Sequence, residues 1–139
     1  MEALLIHLVK ILILCTGNSC RSQMAEGIVR HLYSDRCEVF SAGSHPSSVN
    51  ESAISVMNEI GIDISGHQSQ ALSLFEGQSF DWVITVCDHA KDACPVFLGQ
   101  YQHLHWSFED PVGLSLDVFR QVRDLIYHKF ESELGRYLS

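Results

Sequence analysis

The apolar run Val9-Lys10-Ile11-Leu12-Ile13-Leu14 ends at Cys15, passes through Thr16-Gly17-Asn18-Ser19-Cys20-Arg21-Ser22, and enters an amphipathic pattern without further spacing. This succession constrains the fold more than any other feature. A short apolar run bounded by a Gly-containing loop reads as a strand buried on both faces. The residues from Ser22 to about Tyr33 read as a helix. Met24, Ile28, Val29 and Leu32 form its apolar stripe, and Glu26 and Arg30 sit four apart.

The alternation continues along the chain. Residues 38–42 read as a short strand ending at Gly43, and 44–48 as a loop. Residues 50–60 read as a helix with Ile54, Met57 and Ile60 as its stripe and Gly61 as its stop. Residues 80–86 are a third strand rich in Val and Ile, and 88–99 show no clear periodicity. Residues 104–106 read as a short fourth strand. A long helix starts near Ser115, with Phe119, Val122, Ile126, Phe130 and Leu134 on one face. Strands alternating with helices predict an α/β fold: one domain over 1–139, a three-layer sandwich with a four-stranded parallel sheet and helices on both faces. Ligands of such folds bind beyond the carboxyl ends of the strands, where the loop after the first strand lies.

Charge and cysteine usage narrow the function. The 139 residues carry a formal net charge of −8, which argues against generic nucleic-acid binding, since that needs a basic face. The apolar segment near the N-terminus is short and interrupted by Lys10, whereas a membrane helix needs about 20 apolar residues. Glu2 stands where a signal peptide would be basic. A cytoplasmic, monomeric protein without membrane contact is expected. Five cysteines (15, 20, 37, 87 and 94) in that setting are not a disulfide framework, which leaves catalysis, metal binding or burial.

The loop from Cys15 to Ser22 has the chemistry of an oxyanion trap. Successive backbone N–H groups cradle a tetrahedral anion, and Gly17 is expected to supply the unusual backbone angles. The following helix aims its positive end at the same point, and Arg21 grips two oxygens as a fork. The same field is expected to lower the Cys15 thiol, from about 8.5 to roughly 3.5–7.5. Cys15 is then the nucleophile. Thr16, Gly17, Asn18, Ser19, Cys20, Arg21 and Ser22 bind the anion; Ser22 adds a hydrogen bond to the sulfur and Asn18 braces the loop. The loop lacks the Gly-Lys-Ser/Thr ending of a nucleotide P-loop.

Cys-Thr-Gly-Asn-Ser-Cys-Arg-Ser-Gln-Met-Ala-Glu-Gly resembles the active-site loop of the low-molecular-weight protein tyrosine phosphatase fold, and more closely that of the arsenate reductases built on it. The similarity extends through Ser41-Ala42-Gly43, Gly61-Ile62-Asp63-Ile64-Ser65, Cys87 to Cys94, Asp110-Pro111 and Phe119-Arg120 with Val122-Arg123. It covers nearly the whole chain.

Asp110 is a candidate acid for the leaving oxygen, stiffened by Pro111; from the dipeptide alone a surface turn is an equal reading. The resemblance implies that the Asp before Pro is the general acid. Adjacent Glu109 is expected to point elsewhere. Cys87 closes a strand and so lies at the same sheet edge as Cys15, and six residues separate it from Cys94. Inert burial remains open for these cysteines, as does metal binding by Cys87, His89 and Cys94, although no second ligand pair occurs at typical spacing. No resident metal or cofactor is expected, and Cys20 and Cys37 are given no redox role.

The resemblance implies a relay. Cys15 attacks arsenic, Cys87 attacks Cys15 and releases arsenite, and Cys94 attacks Cys87. Thioredoxin then reduces the Cys87–Cys94 disulfide, with glutaredoxin or another thiol as the alternative donor. The competing function is that of a low-molecular-weight protein tyrosine phosphatase. Those enzymes usually carry a tyrosine shortly after Asp-Pro, whereas Val112-Gly113-Leu114 follows here. A non-catalytic redox or metal-binding module would leave the Cys15 loop without a purpose. Some relatives bind potassium at positions matching Asn18, Glu26, Ser41 and Gln70. Gln70 removes a carboxylate from that set, so an internal hydrogen-bond network is expected instead. His103 and His105 share a strand face and are read as surface or packing residues.

Overall fold

The computed structural model describes residues 8–87 and 101–138. Its strands are β1 (Val9–Cys15), β2 (Cys37–Gly43), β3 (Trp82–Thr85) and β4 (Gln102–His105). Its helices are α1 (Arg21–Tyr33), α2 (Glu51–Glu59) and α3 (Leu116–Glu133). The strands form one sheet in the order β2-β1-β3-β4, and every pairing is parallel. The α/β sheet architecture inferred above is therefore the one observed.

Ile11, Leu12, Ile13 and Leu14 are fully buried because β1 is central and covered on both faces. On one face α1 and α3 pack together and α2 packs on α3. Alternation turns Val39 and Ser41 toward α1, and Phe40 to the opposite face. There Phe40 meets Phe75 and Phe80 at ring-centroid distances of 5.8 and 6.2 Å, beneath the 3-10 turn Leu72–Phe75. Phe119, Val122, Ile126, Phe130 and Leu134 are all buried, as the α3 stripe predicts. Burying one such side chain stabilises by about 1.5–3 kcal/mol.

Two local expectations change. In α2 the buried face is Ala53, Val56 and Met57, while Ile60 is 37% exposed. Asn50 caps this helix, accepting from the amides of Ser52 and Ala53 at 2.8 and 3.2 Å. Gly61 terminates it at φ +79°. An ion-pair staple holds the end of this helix: Arg120 grips both Glu59 carboxylate oxygens, and Arg123 reaches Glu59 and the Val56 carbonyl at 2.8 and 2.9 Å. The fourth strand lies two residues earlier at its start than expected. As an edge strand it carries the polar pattern Gln102-His103-Leu104-His105 rather than an apolar run. His103 and His105 both meet the hydroxyl of fully buried Thr85, at 3.2 and 2.6 Å.

The strand order places the site. The chain leaves β1 for β2 on one side and returns to β3 on the other. A crevice therefore opens beyond the carboxyl ends of β1 and β3. Cys15 ends β1 opposite Gly43 of β2, and Cys87 lies just beyond β3.

Candidate active site

Five consecutive carbonyls of the loop after β1 are tied outward. Thr16 O accepts from the His45 amide at 2.8 Å. Gly17 O accepts from the Ser47 amide and the Ser69 hydroxyl at 3.1 and 2.9 Å. Ser19 O and Cys20 O accept from the amides of Asn50 and Met24 at 2.8 and 2.9 Å. Asn18 O accepts from the Gln23 side chain at 3.1 Å. With these carbonyls held away, the intervening amides turn to the inside of the loop, where an anion is cradled. The loop 44–48, read from sequence only as a connection, is thus, with Asn50, a scaffold for the site.

The unusual backbone angle falls at Asn18 (φ +46°) and not at Gly17. Asn tolerates this region because its side chain hydrogen-bonds locally. Asn18 Oδ1 accepts from the Gln70 amide at 2.7 Å, so its Nδ2 must donate to the hydroxyls of Ser22 and Ser41, at 2.8 and 2.9 Å. Ser22 Oγ, having accepted from Asn18, donates to Cys15 Sγ at 3.2 Å. Ser41 donates in turn to Glu26 Oε1, whose other oxygen pairs with Arg30 at 2.8 Å. These residues do not fit a potassium ion: Asn18 presents an amino group to Ser41, and Glu26 is already satisfied by a hydroxyl and a guanidinium.

Gly43, read from sequence as a strand end and as part of the family resemblance, gains a purpose in the fold. A Cβ there would lie 2.5 Å from Thr16 O, 2.8 Å from Asn18 N and 2.9 Å from Cys15 O. Only glycine lets β2 approach the loop this closely.

Arg21 opens α1 with no side-chain cap ahead of it, which leaves the helix N-terminus available to an anion. Its Nη1 donates to Phe108 O at 3.1 Å, and Nη2 lies 3.6 Å from Asp110 Oδ2. Its Nε is buried without a partner among the described residues. A buried orphan donor is costly, and an oxyanion oxygen would satisfy it. Asp110 is half-exposed at the rim, with Oδ1 accepting from the Val112 amide at 3.1 Å. Arg21 thus brings Asp110 to the loop from the far side.

Cys87 Sγ lies 3.3 Å from Thr16 Oγ1, and the Cys87 side chain is the largest influence on the Cys15 thiol. Cys87 and burial raise the Cys15 thiol well above its ordinary value, outweighing the lowering by the Ser22 hydroxyl, the Ser22 amide and Arg21. The expected depression is therefore reversed in this state, with the Cys87 side chain as the first cause and burial as the second. The consequence is measurable. In Cys87→Ala the largest upward influence disappears, so Cys15 ionises at lower pH. Iodoacetamide alkylation of Cys15 near pH 7, mapped by mass spectrometry, is expected to run roughly tenfold faster than in the parent. An unchanged rate would show that the Cys87 side chain does not govern ionisation. Burial pushes Cys20 up to about 12 and Cys37 to about 11, which leaves both poor nucleophiles. Cys94 and His89 lie outside the described residues. Among those described, no group of three metal-ligating side chains is assembled and no helix is long and apolar enough to cross a membrane.

The parallel sheet, and the loop between β1 and α1 that ends at Arg21, are those of the phosphatase fold named in the sequence comparison. A family model for low molecular weight phosphotyrosine protein phosphatases matches residues 10–136, and the chain belongs to this family. Within it, the chain is 40% identical over 122 residues to the arsenate reductase of Shouchella clausii, covering 88% of this chain and 86% of the relative. A solved arsenate reductase in the phosphate binding state superposes with a TM-score of 0.80 at 39% identity, over 95% of this chain and 100% of that one. A low molecular weight protein tyrosine phosphatase from T. tengcongensis superposes at 0.78 with 26% identity, over 92% and 99%.

Proposed function

We propose that the chain reduces arsenate to arsenite through Cys15, Cys87 and Cys94, with thioredoxin as the reductant. The observation that carries this reading is a second thiol at the nucleophile loop: Cys87, just beyond β3, sets its sulfur 3.3 Å from Thr16 Oγ1, the residue next to Cys15. Ester hydrolysis has no use for a second thiol beside the nucleophile, whereas a two-electron reduction needs one. The names of the relatives point the same way.

In the proposed sequence the Cys15 thiolate attacks arsenic(V), and one arsenate oxygen leaves as water with a proton from Asp110. Cys87 then attacks Cys15 Sγ. The electron pair of the sulfur–arsenic bond stays on arsenic, which departs as arsenic(III), and a Cys15–Cys87 disulfide forms. Cys94 attacks Cys87, frees the Cys15 thiolate and leaves a Cys87–Cys94 disulfide for thioredoxin to reduce. Each exchange consumes one thiol and conserves electrons.

The test is multiple-turnover arsenate reduction with thioredoxin, thioredoxin reductase and NADPH. Steady NADPH consumption is expected. Cys87→Ala should stop it while aryl-phosphate hydrolysis survives within a fewfold. Equal loss of both activities would sink the relay. A parent protein that consumes no NADPH but hydrolyses an aryl phosphate briskly would establish the phosphatase reading. That reading is favoured only by the loop itself, which suits phosphate as well as arsenate.

A further inference from the structure

Gln23 sits on the first turn of α1, fully buried, and no chemical step requires it. Its Nε2 lies 3.1 Å from Asn18 O, 3.1 Å from Asn18 Oδ1 and 3.0 Å from Gln68 O, all acceptors. Its Oε1 lies 2.9 Å from His67 Nδ1. The other ring nitrogen, His67 Nε2, lies 3.1 Å from Arg30 Nη1.

These contacts fix every proton between them. A guanidinium only donates, so Arg30 donates to His67 Nε2, which must carry its lone pair. The proton of the neutral ring then sits on Nδ1 and is donated to Gln23 Oε1. With its oxygen engaged there, Gln23 can turn only its amino group toward Asn18. The reversed amide would set Oε1 against three oxygens. Donation therefore runs from Arg30 through His67 and Gln23 to the main chain and side chain of Asn18. Asn18 is the loop residue with the left-handed backbone, and it orients Ser22 toward the sulfur.

We propose that Gln23 is a positioning residue for the nucleophile loop, held in its working orientation by Arg30 acting through His67. This rests on Cys15 being the nucleophile and is independent of which oxyanion Cys15 meets. His67 also faces Glu26, with Nδ1 3.5 Å from Oε2, and feels Asp63. The surface depression through which it is reached is lined by Gly27, Arg30, His31, Gly61, Asp63 and His67, so the chain links that depression to the loop.

The experiment measures the pH dependence of iodoacetamide alkylation at Cys15, mapped by mass spectrometry, in the Cys87→Ala background where the Cys87 side chain no longer raises the thiol. Gln23→Met keeps the side-chain length and removes every one of these hydrogen bonds. Alkylation near pH 6.5 is expected to slow about tenfold, with the rate near pH 9.5 within about twofold, because Ser22 no longer holds its donor on the thiolate. His67→Phe should shift the profile in the same direction. The double variant should add little to Gln23→Met, since both act through one amide. A profile that overlays the parent, whatever happens to the thermal midpoint, overturns the proposal. If Gln23→Met does not fold, His67→Phe decides by the same criterion. Should Cys15 in the Cys87→Ala protein react no faster than Cys37, the nucleophile assignment itself has failed, and that outcome is distinct.

Discussion

Replacing Cys15 by serine is expected to abolish both arsenate reduction and aryl-phosphate hydrolysis, by at least about 10⁴-fold in kcat/KM. The oxygen differs from sulfur in two ways that matter here. A serine hydroxyl ionises far above neutral pH, and the single donor from Ser22 and the nearby Arg21 charge cannot make it an alkoxide. Serine also cannot form the disulfide that the proposed relay requires. The fold should survive, because the substitution only shrinks a side chain that is 3% exposed at the end of β1. The measurement pairs both assays with a thermal melt. Retained hydrolysis in a folded Cys15→Ser protein would remove Cys15 from the mechanism altogether.

Gly43→Ala is expected to be nearly as damaging, although Gly43 contributes no chemistry. The new Cβ would meet three main-chain atoms of the loop between 2.5 and 2.9 Å away, and main chain cannot swing aside as a side-chain tip can. Either β2 or the loop must shift. A displacement of about 1 Å in a catalytic array costs on the order of 10²-fold in rate, and overpacking costs about 1–3 kcal/mol of stability. We expect kcat/KM to fall about 100-fold and the melting temperature to drop by several degrees. Gly66→Ala is the control, since nothing lies within 4 Å of a Cβ there and that variant should match the parent. Parent-like kinetics in Gly43→Ala would mean that the loop tolerates displacement.

Much of this was legible in the chain. β1, α1 and α3 announce themselves because periodic burial writes itself directly into residue order. Their buried positions agree with the stripes read from Met24, Ile28 and Val29 and from Phe119 to Leu134. The setting of Cys15, Arg21 and Ser22 was legible because a strand, a loop and a helix N-terminus follow one another without a gap. What escaped depends on partners distant in sequence. The end of α2 is held by Arg120 and Arg123, more than 60 residues on, which grip Glu59. Asn18 took the left-handed angle because the Gln70 amide and Gln23 hold its side chain and carbonyl. The Cys15 thiol moved up instead of down because Cys87, just past the neighbouring strand, acts on it. No local pattern encodes any of the three.

The sheet order also divides labour between the two sulfurs. β1 is paired on both edges, to β2 through Cys15 and to β3 through Leu14. Its backbone can yield only by breaking two ladders at once, so Cys15 behaves as an anvil. On β3 the ladder to β1 closes with Val86 donating to Leu14, and Phe108 donates in turn to Val86. Cys87 is the next residue, the first past that clasp. In the proposed relay, the travel that brings the two sulfurs to bonding distance therefore falls to the Cys87 side. Amide hydrogen exchange along β1 should accordingly be slow and unaltered by the redox state, with the change between thiol and disulfide forms beginning at residue 87.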